Sequence, residues 1–456
     1  MVVSLDRTGS LGIHPAGLRR RRSQAISSEL HMFRITDDDR AIARLAVPAL
    51  GALAAEPLVA LVDTAFVGRL GEDPLAAMGV VTGILGLAFF VFIALAYAGT
   101  PLIARAIGIG DRDRAAELAG QSLFVAAVLG AGGLVLVEGA APQLVGLMGA
   151  GPDVAPHAIS YLRIRGLGLP AILMISVGHS VYRGVGDTRT PMFISFGLSL
   201  VNLVLDPVFI FGMGWGLAGA GFASVIAQTL GGGAFLYYFL TGHTGLVLRR
   251  AWPRWDDLRE LIGAGSALFV RTSALVATLT VAVAVAARLG DAEVAAHQVA
   301  VQMWFFLTLI VDSVAIAAQN LVAGHLATDR AAAHRFSQRM LLWGLCWGVL
   351  LAAAFWLVRH DLPGWFTTDP GVAALAITLM PIVALSQPLN GLIFVLDGVM
   401  IGATEFTYMA KATVFAAGVA CLLLLMAGSI SAVWWAMVAM NVLRLVTLYP
   451  RYRLVV

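Results

Sequence analysis

From residue 41 onward the chain alternates long apolar runs with short clusters of glycine, proline, aspartate and arginine. Runs of 20 or more apolar residues suit a bilayer, whereas buried helices of a soluble core need only about 10–14. Setting the runs against the breaker clusters predicts twelve helices. They fall at 41–68, 75–105, 114–141, 157–182, 190–213, 216–241, 258–288, 294–325, 333–358, 373–402, 407–428 and 431–450. Several exceed 25 residues, so some must tilt, kink or project from the membrane. Composition agrees. Only 12% of the 456 residues are charged, where soluble domains carry about 25%, and the mean hydropathy is +0.86. An all-α polytopic membrane protein is expected.

Charge then orients the helices. With a cytoplasmic N-terminus, the inside segments hold most of the arginines, from Arg105 and Arg112 through Arg183, Arg249 and Arg335 to Arg453. The outside loops and helix ends hold Arg69, Arg163, Arg165, Arg288 and Arg359. That asymmetry follows the positive-inside rule with both termini cytoplasmic, in a cell inner membrane. Residues 1–40, with four consecutive arginines at 19–22, read as a basic cytoplasmic tail. No short apolar stretch with a cleavage site follows it, so the first span is expected to be retained. The net charge of +3 marks no basic groove, so nucleic acid is not an expected partner. A small organic substrate and membrane lipid are, and the chain is expected to be monomeric. Cys346 and Cys421 lie in apolar runs without paired spacing and read as small buried hydrophobes.

The chain also repeats itself. RLGEDPLAAMGV at 69–80 aligns with RLGDAEVAAHQV at 288–299, an offset of 219. DRDRAA (111–116) aligns with DRAAAH (329–334), and RGVGD (183–187) with IGATE (401–405), both at 218. Each half then contains six helices, so the two share an orientation as a parallel repeat, 41–241 and 258–450. A cytoplasmic linker at 242–257 joins them, and 451–456 is a cytoplasmic C-terminus. Two six-helix lobes around a central cavity are a transporter plan. The spans hold neither HExxH nor GxSxG, so an enzyme is not expected. A receptor or channel has no need of such a repeat.

Acidic residues break the symmetry. A carboxylate at the centre of a membrane helix costs roughly 2.5–3.5 kcal/mol. Yet EPLVALVDTAFVGRLG (56–71) carries Glu56 and Asp63, and LVNLVLDPVFIFG carries Asp206. The second half has Ala282 and Leu424 at the positions matching Asp63 and Asp206. Asp63 and Asp206 fall at similar depths in the outer half of the membrane, and Asn202 lies one turn before Asp206 on the same face. Such a pair can hold a proton, or a bare cation such as Na⁺ completed by oxygens of Asn202 and Ser224. Interhelical hydrogen bonding without ion traffic is the structural alternative. Pro48 and Pro57 interrupt the first helix and invite a kink there.

These residues also carry a resemblance. PALGALAAEPLVALVDTAFVGRLG, RGVGDTRTP (183–191), NLVLDP (202–207) and GLAGAGFAS (216–224) resemble the multidrug and toxic compound extrusion (MATE) family. AAHQVAVQMWFF, SVAIAAQNLV and QPLNGLIFVLDGVMIGA resemble its DNA-damage-inducible protein F (DinF)-like branch. The resemblance covers roughly residues 41–450. It implies a V-shaped twelve-helix antiporter that expels organic, often cationic, compounds against inward H⁺ or Na⁺, with no other cofactor. By position, Asp63, Asn202 and Asp206 match the family's N-lobe cation site, and Pro48 matches its bending proline. Ser224 stands where threonine is usual. Asn390 falls where another branch has an acidic ligand, which favours H⁺ over Na⁺ here.

Remaining polar positions are less specific. Glu56 lies two turns before Asp63, about 10 Å deeper, and is a relay or substrate contact or pairs with a neighbour. Gln302 and Asn390 are further contact candidates, and Gln298, Gln319 and Gln387 fit a cavity lining or interhelical bonds equally. Arg271 and Asp312 sit at matched depths of adjacent helices and are expected to form a structural ion pair. Asp397, near the cytoplasmic end of its helix, reads as hydrogen-bonded or gate-closing. Met303, Phe305 and Phe306 fit a permissive drug surface or plain packing. A lipid-linked precursor flippase is the alternative function. It calls for a cationic cavity, whereas Arg271 is the one intramembrane arginine expected.

Overall fold

The computed structural model describes residues 35–246, 255–367 and 369–456, without the side chains of residues 87–97, 256–257 and 306–307. Most of the expected basic tail, the linker residues 247–254 and the Phe306 side chain lie outside the described residues. Met1–Ala41 and Ile42–Val456 form separate units, and every contact below lies within the second.

A chain in hydrocarbon must satisfy its own backbone polar groups, and helices do so within one segment. Among the described residues all regular structure is helical. The first half comprises α1 (Asp37–Val67), α2 (Glu72–Gly108), α3 (Arg112–Leu147), a two-segment α4 (Ala155–Gly166 and Leu169–Gly184), α5 (Arg189–Pro207) and α6 (Gly216–Leu240). The second comprises α7 (Trp255–Leu289), α8 (Asp291–Leu326), α9 (Arg330–Val358), α10 (Pro370–Gly402), α11 (Phe406–Leu425) and α12 (Ile430–Val455). Among the described residues ten helices are long and apolar enough to cross a membrane, and the bent pair forming α4 makes eleven. The 37-residue α2 brings the helices to twelve.

Helix ends differ from the sequence expectation by a few residues, with α1 starting inside the expected tail, α7 inside the expected linker and α3 running on to Leu147. α12 runs on through the segment 451–456 set apart as a terminus, because Arg451 donates to both carboxylate oxygens of Glu405, at 3.1 and 2.9 Å. α4 is not one straight helix but bends by 49° around Leu167 and Gly168. Pro170 opens its second segment and lacks the N–H to bond back across the break.

The matched loops fold alike. Gly71 (φ 121°) and Gly290 (φ 153°) precede α2 and α8, backbone that an L side chain rarely adopts. Asp111 caps α3 by accepting from the Arg114 N–H, and Asp329 caps α9 by accepting from the Ala332 N–H. Gly186 (φ 81°) is matched by Thr404, at φ 59° the one non-glycine with positive φ among the described residues. A threonine held in that region is strained; the repeat's geometry has been kept after its glycine was lost.

The halves meet where α2 packs on α7 and α8. A Cβ on Gly108 would lie 1.9 Å from the Gly324 carbonyl oxygen, so the two backbones approach as only small residues permit. Beside them Asn320 of α8 donates to the last carbonyls of α4, Arg183 (2.7 Å) and Gly184 (3.0 Å). Arg114 of α3 pairs with Glu260 of α7 at 3.0 Å. Gly108→Ala is expected to part α2 from α8. With Cys346 and Cys421 replaced, a cysteine at the buried Ala104 would then label faster with a thiol reagent, and unchanged labelling would refute the tight seam.

Candidate ion-coupling and substrate site

A cavity of about 470 Å³ opens within the first half, lined by α1, α2, α4, α5 and α6. Glu56 and Asp63 of α1, Asn202 of α5 and Ser224 of α6 all face it. Asp206 is fully buried behind this wall, and its carboxyl group lies beside that of Asp63. Asn202 donates from Nδ2 toward Asp206 Oδ1 (3.4 Å) and Ser224 Oγ (3.5 Å), both long contacts. Asp63 Oδ1, Asp206 Oδ2 and Asn202 Oδ1 are left without a partner among the described residues. Unpaired buried oxygens are costly, and hard oxygen donors are what a proton or a small hard cation takes. The four residues suit either ion by their chemistry.

Local sequence builds this wall. Pro207 cannot donate to the α5 ladder, and the helix loosens into a π-helical turn over Val208–Gly212 directly after Asp206. Gly219 lets α6 press on that turn, since a Cβ there would lie 2.7 Å from the Phe209 carbonyl carbon. Pro48 lies buried inside the continuous helix α1 and leaves the Arg44 carbonyl without its intrahelical donor. Thr188, in the loop before α5, reaches that gap: its hydroxyl donates to Leu45 O (2.8 Å) and lies 3.5 Å from Arg44 O. Thr188→Val should therefore destabilise the protein by about 1–3 kcal/mol, read as a lower melting temperature in detergent. Thr188→Ser should melt like the wild type; equal losses in both would exclude the hydroxyl as the cause.

The MatE family model matches this chain twice, over residues 48–208 and 269–437. The chain belongs to the MatE family. Similar curated relatives of this MatE protein include Protein DETOXIFICATION 43 of Arabidopsis thaliana, 31% identical with 91% of each chain covered. Protein DETOXIFICATION 44, chloroplastic, from the same plant is 32% identical over 89% of this chain and 80% of its own. The probable multidrug resistance protein NorM of Acinetobacter baylyi is 28% identical over 70% and 73%. Among solved structures, the Vibrio cholerae MATE transporter VcmN in its bent form superposes with a TM-score of 0.84 at 22% identity, covering 91% of this chain and 96% of that one. A MATE family multidrug resistance transporter described as outward-facing also gives 0.84, at 21% identity over 91% and 95%. The MatE protein is thus an integral membrane protein of a multidrug and toxic-compound transporter family, with twelve helices in two six-helix lobes.

In the second lobe the structure corrects two sequence expectations. Arg271 of α7 pairs with Asp397 of α10, not with Asp312. Asp312 makes no ion pair among the described residues, though it lies within electrostatic reach of both. Matched depth favoured helices adjacent in sequence, but α12 packs on both α7 and α10. It brings in Arg444, which donates to the same carboxylate oxygen of the buried Asp397. Arg271 is therefore not the lone intramembrane arginine. From Arg444 the chain of bonds continues to Asn441 Oδ1 (3.0 Å), from Asn441 to Asn390 Oδ1 (3.0 Å), and from Asn390 to Ser386 Oγ (3.4 Å). Asn390 thus belongs to a buried polar chain outside the first-lobe cavity.

Arg165 departs further from expectation. It was assigned to the outer helix ends, yet it lines the first-lobe cavity at the bend of α4, together with His179 and Arg183 of the same helix. Its position inside the predicted span 157–182 was the available signal. Gln302 and Gln298 are exposed and Met303 is buried, and neither these nor Phe305 lines that cavity. Gln387 bonds within its own helix to Val383 O (2.8 Å), and the Gln319 Oε1 is buried without a partner among the described residues.

Proposed function

We propose that the protein is a secondary antiporter that exports organic, often cationic, compounds in exchange for H⁺, with Na⁺ the less favoured ion. The observation that carries this reading is the meeting of Asp63 and Asp206 at the wall of a 470 Å³ cavity large enough for a small organic molecule. In the cycle, the ion enters at Asp63 and Asp206 with Asn202 and Ser224 as neutral ligands, and Pro48 lets α1 bend in response. Ion and substrate then oppose one another's binding, as linkage requires. Na⁺, where it binds, would be held by Asp63, Asn202 and Asp206, supplying a fixed positive charge. Glu56 faces the same cavity and serves as a relay or substrate contact. The protein acts as a monomer in the cytoplasmic membrane, with both termini inside.

Purified protein in liposomes tests this. Efflux of fluorescent organic cations should follow an imposed pH gradient, and efflux indifferent to both pH and Na⁺ gradients would refute antiport. The lipid-linked precursor flippase gains support from Arg165 and Arg183 in the cavity wall, the cationic lining it calls for. Saturable binding of a lipid diphosphate, with no gradient-driven dye efflux, would select that reading instead.

A further inference from the structure

We infer that Arg165 is a built-in counter-cation of the Asp63–Asp206 pair and sets that site against Na⁺. This rests on reading that pair as the coupling site. Arg165 stands in the last turn of the first α4 segment and faces the same cavity as Glu56 and Asp63. It lies within electrostatic reach of all three carboxylates and of Tyr161. Among the described residues, none of its nitrogens comes within 4 Å of a carboxylate oxygen. The guanidinium thus shares the cavity with Glu56 and Asp63 and forms no ion pair among the described residues. Its neighbour Arg163 turns the other way and meets Glu138 at 3.8 Å.

The consequence follows from charge. Guanidinium stays protonated in proteins, so the pair carries a permanent positive neighbour. A unit charge in a site of intermediate dielectric changes the affinity for a second cation by roughly tenfold or more. The repulsion acts on protons and Na⁺ alike, but the two differ in what they can lose. A proton forms a covalent O–H bond to one carboxylate, and a tenfold loss moves its working range by about one pH unit. Na⁺ depends on several weak oxygen contacts gathered at once, and the same loss removes it from its useful concentration range. The cation arrives with the fold, on α4, and the lobe needs no second acidic ligand to exclude Na⁺. The other charged and titratable groups of the wall, His179 and Arg183, lie further along α4 and leave the sign of the effect unchanged.

Na⁺-dependent thermal stabilisation in detergent, with choline chloride holding ionic strength constant, reads the effect without transport. The wild type should show little response to Na⁺. Arg165→Gln and Arg165→Met should gain a saturable response, at least about tenfold tighter in Na⁺, and Arg165→Lys should behave as the wild type. Adding Asp63→Asn to Arg165→Gln should abolish the gain. No gain in either neutral variant, a gain in the lysine variant, or a gain that survives Asp63→Asn would each overturn the inference. Gradient-driven efflux in the single Asp63→Asn variant separates the levels. If coupling survives there, the coupling-site reading fails. If coupling is lost while Arg165→Gln gains nothing, the reading stands and the role of Arg165 falls.

Discussion

Asp63→Asn will reduce gradient-driven efflux to the rate seen without a gradient, while the protein folds and melts as the wild type does. Asparagine matches aspartate in shape, so the α1 packing is kept. What it removes is the carboxylate that meets Asp206 at the cavity wall, and with it the group proposed to take up a proton or cation. Asp63 Oδ1 has no partner among the described residues, and an asparagine amide at this position can still donate to the Asp206 carboxylate. The measurement is dye efflux from proteoliposomes under an imposed pH gradient, with melting in detergent as the control for folding. Full gradient-driven efflux in the variant would remove Asp63 from the coupling site. Asp206→Asn should behave similarly. Ala282 and Leu424, the second-lobe counterparts, are buried and offer no carboxylate to take over.

Asp397→Ala should be the most destabilising single change in the second lobe. Both Arg271 and Arg444 place a guanidinium against this one carboxylate, and Arg444 is 2% exposed. Removing one partner of a buried pair costs about 3–5 kcal/mol, because the remaining charge stays desolvated. Here two charges are stranded, and Asp312 lies within electrostatic reach of Arg271. A melting curve in detergent reads the loss. A triple variant, Arg271→Met, Asp397→Leu and Arg444→Met, should recover much of it, since replacing buried ions by apolar groups of similar volume is often neutral or better. An Asp397→Ala protein that melts with the wild type would show that the network holds nothing together. The polar chain continuing through Asn441 and Asn390 makes this lobe's core a fixed, hydrogen-bonded unit rather than an open acidic site.

The first-lobe site was largely readable in sequence because its signal is chemical cost. A carboxylate in an apolar span is rare enough to be noticed, and its depth can be counted from the helix end. Asp63 and Asp206 come together in the fold as that count implies. Thr188 was not readable in the same way. A threonine in a loop is ordinary, and only contact with the proline gap in α1, more than 140 residues earlier, gives it a purpose. Arg165 lay within a predicted span, but arginine near a helix end normally reaches out to the interface. It lines the cavity just before the bend in α4 instead. Arg444 sat in plain sight three residues after Asn441 on an apolar helix. Its partner Asp397 could be assigned only once α12 was known to pack against α10.

Sequence alone determined the number of spans, the duplication and the acidic pair, because each is written in one segment at a time. Bilayer thickness fixes the length of an apolar run, and helical geometry fixes which residues share a face. The repeat survives in capping aspartates and turn residues, whose roles are local. The tertiary structure decided which charges meet. Asp397 rather than Asp312 takes Arg271, and Arg165 lines the cavity that Glu56 and Asp63 face. In a low-dielectric interior a charge binds whichever opposite charge the packing brings nearest, and that choice depends on helix neighbours, which no single run of sequence encodes.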